Sequence, residues 1–282
     1  MYLRNFPIGI MPDTSLFHIM KLDFLYDMLK SGENTLVRPD SWDDPYEKQL
    51  NNSTITLHVK GEKDETFYYD KNQWFAQCWS LTRESDGLWK SFAAEHKNNV
   101  RYVKIETTWL DLYNSFPKDE NAISVLERIK YVSARKKKYN KHIKHIWNKY
   151  HRKIVSKFDL LYLGLLLTKR KAFQHENEVR FLIDLLEDDY KYIKKDKNIE
   201  LLQYPVEIGN FIKSIELDPW ISDEEADKEI EKIKTLLGSV KIDIKKSTLY
   251  EESRDKERYH FHISIESLRN KIIEEVSKLY VM

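Results

Sequence analysis

The run Trp74-Phe75-Ala76-Gln77-Cys78-Trp79-Ser80-Leu81 constrains the fold more than any other stretch of the chain. It is dense in aromatic and apolar side chains, as in a strand buried at the centre of a sheet. A central strand needs neighbours, and the sequence offers them. Leu16-Phe17-His18-Ile19 and Leu36-Val37-Arg38-Pro39 are short apolar runs suited to strands, and Ile55 to Val59 and Val100 to Ile105 alternate apolar and polar positions. Glu178 to Leu186 reads as a strand with Val179, Phe181 and Ile183 on one face. Phe211 to Leu217 is another, stopped by Asp218-Pro219, and Val240 to Ile244 is a last short one.

Helical spacing appears between these strands. Leu22, Leu25, Tyr26 and Leu29 recur at that spacing, with Asp23 as N-cap and Ser31-Gly32 as the stop. Leu88 to Glu95 reads as a helix, and Phe158 to Leu167 as a buried core element. Ser222-Asp223-Glu224-Glu225 opens a helix that continues through Ile230, Ile233, Leu236 and Leu237 and ends at Gly238. Ser264 to Leu279 predicts an amphipathic helix. There is no internal repeat and no Gly/Ser linker. These signals predict a single α+β domain over 1–282, with a mixed or antiparallel sheet and a basic helical insertion at about 128–158.

Composition removes several classes. Apolar residues make up 41 % and aromatics 13 %, which excludes a disordered chain. The 47 basic and 46 acidic side chains nearly cancel, so no global field draws the protein to nucleic acid or an anionic membrane. Cys78 is the one cysteine, so an intramolecular disulfide and a multi-cysteine metal site are excluded, and its default role is that of a small buried apolar group. No stretch matches a signal peptide or the roughly 20 apolar residues of a membrane span, which predicts a cytoplasmic protein with no membrane partner. No glycine-rich phosphate loop occurs, which disfavours a P-loop or dinucleotide-binding fold.

The best catalytic candidates are Glu176 and Glu178, in Glu176-Asn177-Glu178 at the start of a predicted strand. Alternation places both carboxylates on one face. Such a pair suits chemistry at a sugar carbon: one stabilises an oxocarbenium-like centre, the other orients or deprotonates the acceptor. The same residues serve equally as an exposed pair bridged to Arg180 or Lys171. Ser80 and Thr82 share a face at the end of the central strand, placed to brace a ligand or a glutamate, or simply to cap the strand. His18, before the first helix, is either a histidine that bonds a ligand hydroxyl or an ordinary core or surface histidine. Asp43, Asp44 and Glu47 put three carboxylates in five residues, suited to a divalent cation or to plain turn chemistry. His142 and His145 lack acidic or thiol partners, and no metal is expected.

Charge segregates in one place. From Arg128 to Phe158 there are twelve Lys and Arg and no Asp or Glu, interleaved with Tyr131, Tyr139, Trp147 and Tyr150. Lys136, Lys137, Lys138, Lys141, Lys144 and Arg152 are the candidate nucleic-acid contacts, the aromatics stacking on bases while the cations follow the phosphates. The alternative is a long solvated helix whose apolar face is Ile143, Ile146, Trp147, Tyr150 and Ile154.

Several segments resemble a bacterial domain-of-unknown-function family. They are Arg38-Pro39 with Trp42-Asp43-Asp44-Pro45-Tyr46-Glu47, Cys78-Trp79-Ser80, Ser85-Asp86-Gly87-Leu88-Trp89, Lys171 to Arg180, Leu217-Asp218-Pro219 and Lys246-Ser247-Thr248-Leu249-Tyr250. That resemblance implies a bacterial or phage origin and supplies no activity. The order His18, then Ser80-Leu81-Thr82, then Glu176-Asn177-Glu178 also resembles ADP-ribosyltransferases. This second resemblance implies NAD as the bound molecule. His18 would hold a ribose hydroxyl, Ser80 and Thr82 would brace the site, Glu178 would stabilise the oxocarbenium, and Glu176 would position the acceptor. The expectation is an effector of toxin or defence biology that transfers ADP-ribose, with nucleic acid or a protein of that system as partner. The rivals are a metal-dependent nucleic-acid hydrolase using Asp43, Asp44 and Glu47, together with Glu176 and Glu178, around a cation, and a non-enzymatic sensor or scaffold that binds nucleic acid or a partner protein through the basic segment.

Overall fold

The structure is a computed structural model of the chain. It describes residues 10–42, 54–57, 65–68, 73–93, 100–132, 145, 149, 157–187, 190–196, 199–250 and 269. The chain divides into two units, Met1–Leu249 and Tyr250–Met282. The expected helix at Ser264 to Leu279 lies, but for Arg269, outside the described residues.

The first unit is a mixed α+β domain on a mostly antiparallel sheet. Its strands are β1 (Ser15–Lys21), β2 (Glu33–Val37), β3 (Thr54–Leu57), β4 (Glu65–Tyr68), β5 (Trp74–Ser80), β6 (Tyr102–Thr108) and β7 (Ala122–Arg128). They continue with β8 (Lys130–Val132), β9 (Thr168–Arg170), β10 (Glu178–Leu185), β11 (Ile193–Asp196), β12 (Ile199–Pro205), β13 (Ser214–Leu217) and β14 (Asp243–Lys246). Ten of them form one sheet in the order β11-β12-β2-β5-β1-β6-β13-β14, with β10 on β5 and β7 on β10. The β3–β4 and β8–β9 pairs stand apart from it.

The aromatic run is the hub, as its composition predicts. One edge of β5 pairs with β10 over its whole length, while the other meets β2 at Ala76 and β1 at Ser80. The sheet therefore forks along β5. Polar side chains fill the fork: Asn34, Gln77 and Tyr204, all buried, bond to one another, and Trp79 Nε1 donates to Gln77 Oε1 at 3.1 Å. Burying these groups is tolerable because each finds a partner.

Helices cover the sheet. They are α1 (Leu22–Ser31), α2 (Asp86–Phe92), α3 (Trp109–Ser115), α4 (Lys157–Leu166), α5 (Ile208–Phe211) and α6 (Asp223–Leu237). The larger core includes Leu25 and Tyr26 of α1, Phe75, Trp79, Val179 and Phe181, and Ile233 and Leu237 of α6. A second core packs Tyr162, Leu163 and Leu166 of α4 on Trp74, Ala76 and Leu182. Side chains alternate between the two, so β5 and β10 are covered on both faces. None of the described helices is long and apolar enough to cross a membrane.

Local details differ from the sequence expectations for physical reasons. Asp23 is not the N-cap of α1; Lys21 is, and Asp23 sits in the first turn, where its charge suits the helix dipole. Phe211 to Leu217 divides into the end of α5 and β13, because the chain must turn at Ile212 to reach β6. The last strand lies at Asp243–Lys246, later than expected. Ser222 does cap α6, through a full capping box with Glu225. Within 128–158, β8 is a strand, and most of the segment, including Lys136, Lys137, Lys138, Lys141, Lys144 and Arg152, lies outside the described residues.

One buried cation on β6 ties the turn before α2 to the neighbouring strand β13. Lys104, 4 % exposed, reaches Glu216 Oε1 at 2.6 Å, Glu84 Oε2 at 3.0 Å and the Arg83 carbonyl at 2.6 Å. Lys104→Met leaves two carboxylates facing each other. Removing Lys104 leaves Glu216 with only the exposed Lys245, 3.8 Å away, among the described cations, so a loss of about 2 kcal/mol is expected near pH 7, Glu84 being partly solvated. Burial already lifts Glu216 above the usual carboxylate range. Protonation should therefore relieve the variant, and its deficit in urea unfolding should shrink as pH falls toward 5.

Candidate active site

The first two strands to converge are β5 and β10. In their register Ser80 opposes Glu178 and Cys78 opposes Arg180, and Phe17 of β1 opposes Ser80 from the other edge. Opposed residues project from the same face. Glu178, Arg180, Ser80 and Cys78 thus share the face that carries Trp74, Ala76 and Leu182 further along, while Trp79, Val179 and Phe181 point into the larger core. An apolar sheet face ends here in a polar cluster.

Glu178 is 1 % exposed and fully engaged. Arg180 Nε donates to its Oε1 at 2.6 Å and a second guanidinium nitrogen to Oε2 at 3.3 Å. Lys169 Nζ donates to the same Oε2 at 3.1 Å. Lys169 also reaches Glu176 Oε2, more closely, at 2.6 Å. Among the described residues, two glutamates, one lysine and one arginine thus form a formally neutral buried cluster. Arg180 is itself 1 % exposed; it donates to the Leu166 carbonyl at 2.5 Å and lies 4.1 Å from the ring centre of Trp42. Tyr131 completes the ring, its hydroxyl accepting from the Glu178 backbone N–H at 2.7 Å.

The two carboxyls respond differently to this environment. Burial pushes Glu178 up, but Arg180 and Lys169 outweigh it and hold the group at about 2. Burial also lifts Glu176, and there it wins against Lys169, with the charge of Glu178 adding to the rise. Burial pushes the Cys78 thiol well above its usual range, and the neighbouring Glu178 adds to that. The sulfur is therefore a poor nucleophile here. Tyr131 is pushed up to about 12 by burial and stays a neutral hydroxyl.

Ser80 and Thr82 are at the site and bound within it. Ser80 Oγ donates to the Glu176 carbonyl at 2.7 Å and accepts from the Thr82 N–H at 2.9 Å. Thr82 Oγ1 accepts from Asn177 Nδ2 at 3.4 Å. Asn177 has φ 46°, a left-handed conformation that asparagine tolerates better than most residues. It turns the chain between the 3-10 helix Lys171–Glu176 and β10, so that Glu176 and Glu178 point at one ammonium. Thr82, Ser80 and Cys78 also line a small, mostly apolar depression with Phe17, Ile19, Leu88, Phe92 and Lys104.

His18 stands elsewhere. Its ring lies 5.2 Å from that of Trp79, on the face turned away from Glu178, and Nδ1 is 2.7 Å from the Cys78 carbonyl. A carbonyl only accepts, so the neutral Nδ1–H tautomer donates. The contact satisfies a β5 carbonyl at the fork. Burial draws the imidazole down to about 4 from 6.5. The unfolded chain therefore binds the proton first, and the stability His18 contributes is lost as pH falls from about 6.5 toward 4. His18→Gln should flatten unfolding free energy against pH across that window; an unchanged slope would reject this account.

The structure therefore brings together Ser80, Thr82, Glu176 and Glu178, and leaves His18 on the opposite face. Asp43, Asp44 and Glu47 lie outside the described residues, as do the basic-segment candidates. Among the described residues no group of three or more His, Cys, Asp and Glu is arranged to hold a metal. The carboxylates are not an exposed pair, and their lysine partner is Lys169, not Lys171. Lys169 belongs to β9, where alternation turns it inward, whereas Lys171 begins the 3-10 helix and is exposed. The sequence reading missed Lys169, and it took Tyr131 as an aromatic of the basic segment and Trp42 as part of a family-like segment rather than as neighbours of the carboxylates. Their nearness to Glu176, Glu178 and Arg180 is tertiary.

No family model matches the chain, and no curated protein matches it. Solved structures that match include Thermus sp. 2.9 DarT in complex with NAD+, at 9 % identity and a TM-score of 0.36, covering 85 % of this chain and 98 % of that one. The same protein in complex with ADP-ribosylated ssDNA matches at 8 % identity and a TM-score of 0.38, covering 84 % and 96 %. A likeness this distant assigns no chemistry to this chain.

Proposed function

We propose that the chain is an ADP-ribosyltransferase-like enzyme that uses NAD, with its reacting centre at Glu178 and Glu176. One observation carries the reading: two carboxylates with opposed proton affinities meet on a single ammonium at the end of a sheet face. Chemistry at a sugar carbon needs a carboxylate that stays charged beside a developing cation and a second carboxyl able to exchange a proton. Glu178 suits the first role and Glu176 the second.

The bond from ribose C1′ to the nicotinamide nitrogen breaks, and its electron pair leaves with neutral nicotinamide. Positive charge develops on C1′ and the ring oxygen, opposite the Glu178 carboxylate. A lone pair of the acceptor forms the new bond to C1′, and the acceptor proton passes to Glu176. Lys169 holds Glu178 by the longer of its two contacts. That contact is the one a substrate hydroxyl would replace, while Arg180 keeps the carboxylate in place. Ser80, Thr82 and Asn177 fix the turn that aims the pair.

The acceptor belongs to the same proposal. The basic segment at 128–158 would dock a nucleic acid, in a protein of toxin or defence biology acting inside the cell. The test is nicotinamide release from NAD by purified protein, with and without RNA, DNA or cell lysate, for wild type and Glu178→Gln. Release that requires Glu178 supports the reading, and the additive that accelerates it identifies the acceptor. No release under any of these conditions rejects it. Chelator-sensitive cleavage of nucleic acid instead would favour the hydrolase.

A further inference from the structure

We propose that Lys169 is a positioning residue for this reaction: its ammonium orients Glu176 and opposes its protonation, while Arg180 is the principal partner of Glu178. The inference deepens the ADP-ribosyl-transfer reading and rests on it for its catalytic consequence. Its structural part rests on distances. Lys169 Nζ is 2.6 Å from Glu176 Oε2 and 3.1 Å from Glu178 Oε2, whereas Glu178 already has a two-pronged contact with Arg180. The lysine is therefore the sole cation in hydrogen-bond contact with Glu176 among the described residues and a second cation for Glu178.

The surroundings leave Glu176 dependent on that lysine. From β10 it faces the negative Glu178, backed by Arg180. From β8 comes Tyr131, a neutral hydroxyl, and from β5 comes Cys78, a neutral thiol beside Glu178. His175 precedes it in the same turn. Burial and Glu178 both favour protonation of Glu176, and the Lys169 charge is the main opposing influence. Lys169 is itself held in place. Its strand β9 pairs with β8 so that Lys169 lies in register with Tyr131, and its ammonium lies 5.0 Å from the Phe173 ring centre.

The two carboxylates should therefore separate when Lys169 loses its charge. In Lys169→Met, Glu176 should titrate higher by about one pH unit or more, the usual consequence of removing an opposite charge at this distance. Glu178 should stay ionised through Arg180. The acid limb of the pH profile for nicotinamide release should move upward by the same amount, and Lys169→Arg should restore both. The direct readout is carbon-13 NMR titration of the glutamate side-chain carboxyls, with Glu176→Gln and Glu178→Gln giving the assignments. Lys169→Gln, which keeps a donor without charge, serves if the Met variant does not fold. An unmoved Glu176 midpoint in the neutral variants overturns the proposal, as does movement of Glu178 in its place. If wild type releases no nicotinamide, the transferase reading fails, and the carboxyl titration still decides what Lys169 does.

Discussion

Glu178→Gln is expected to lower nicotinamide release by about 10²- to 10⁴-fold, the range associated with losing a charged group that acts on the transition state. The amide keeps the shape of the side chain and most of its packing, and removes the charge. Its effect should fall on kcat more than on KM, because the cation at C1′ exists only as nicotinamide departs. Stability should fall as well, since Arg180 would lose its carboxylate partner among the described residues while Lys169 keeps Glu176. Thermal unfolding must therefore accompany the assay: folded protein without release supports the reading, and release at the wild-type rate sinks it. The pH profile adds a second check. Glu178 is held at about 2, so any acid limb above pH 4 cannot be its own. It should belong to Glu176 and disappear in Glu176→Gln.

Much of the fold was legible because it followed from backbone periodicity. The Trp74–Ser80 hub could be read from its unbroken apolar character, and α6 from Ser222, its acidic first turn and Gly238. Glu176 and Glu178 were expected as a same-face pair from strand alternation, but Glu176 ends a 3-10 helix, and the left-handed turn at Asn177 is what aims the two together. What stayed hidden was tertiary. Nothing local ties Lys169 to Glu176, seven residues away through a strand and a 3-10 turn, or Trp42 to Arg180 across the domain. His18 shows the limit most sharply. It lies one residue from Phe17, which stands in the Ser80–Glu178 row, and that single step sends its ring to the other face. A motif read by order along the chain cannot detect a one-residue change of face.

Arg180→Met should destabilise the protein by about 3–5 kcal/mol near pH 7, the usual cost of removing one partner of a buried ion pair. Arg180 is completely enclosed. It neutralises Glu178, satisfies the Leu166 carbonyl at the end of α4 and stacks on Trp42, so it joins β10 to two other elements. Met fills much of the volume and replaces none of these contacts. The pH dependence separates the charge effect from lost packing. In wild type, Glu178 binds its proton far less readily than the unfolded chain does, about 2 against 4.5. Its contribution is complete above pH 4.5 and is lost as pH falls toward 2. Without Arg180 that carboxyl is buried with only Lys169, which is shared with Glu176, and its proton affinity rises. The deficit of the variant should therefore be largest at neutral pH and shrink as pH approaches 4. The double variant Arg180→Met, Glu178→Gln should recover a large part of the loss, because among the described residues the carboxylate that Arg180 neutralises is then uncharged. Urea unfolding of the wild type, both single variants and the double variant at pH 7.5 and pH 4.5 measures the coupling. Additive losses, equal at the two pH values, would mean that Arg180 acts through packing on Trp42 and α4 alone. Glu178 would then owe its ionised state to Lys169, and the division of labour between the two cations would have to be reversed.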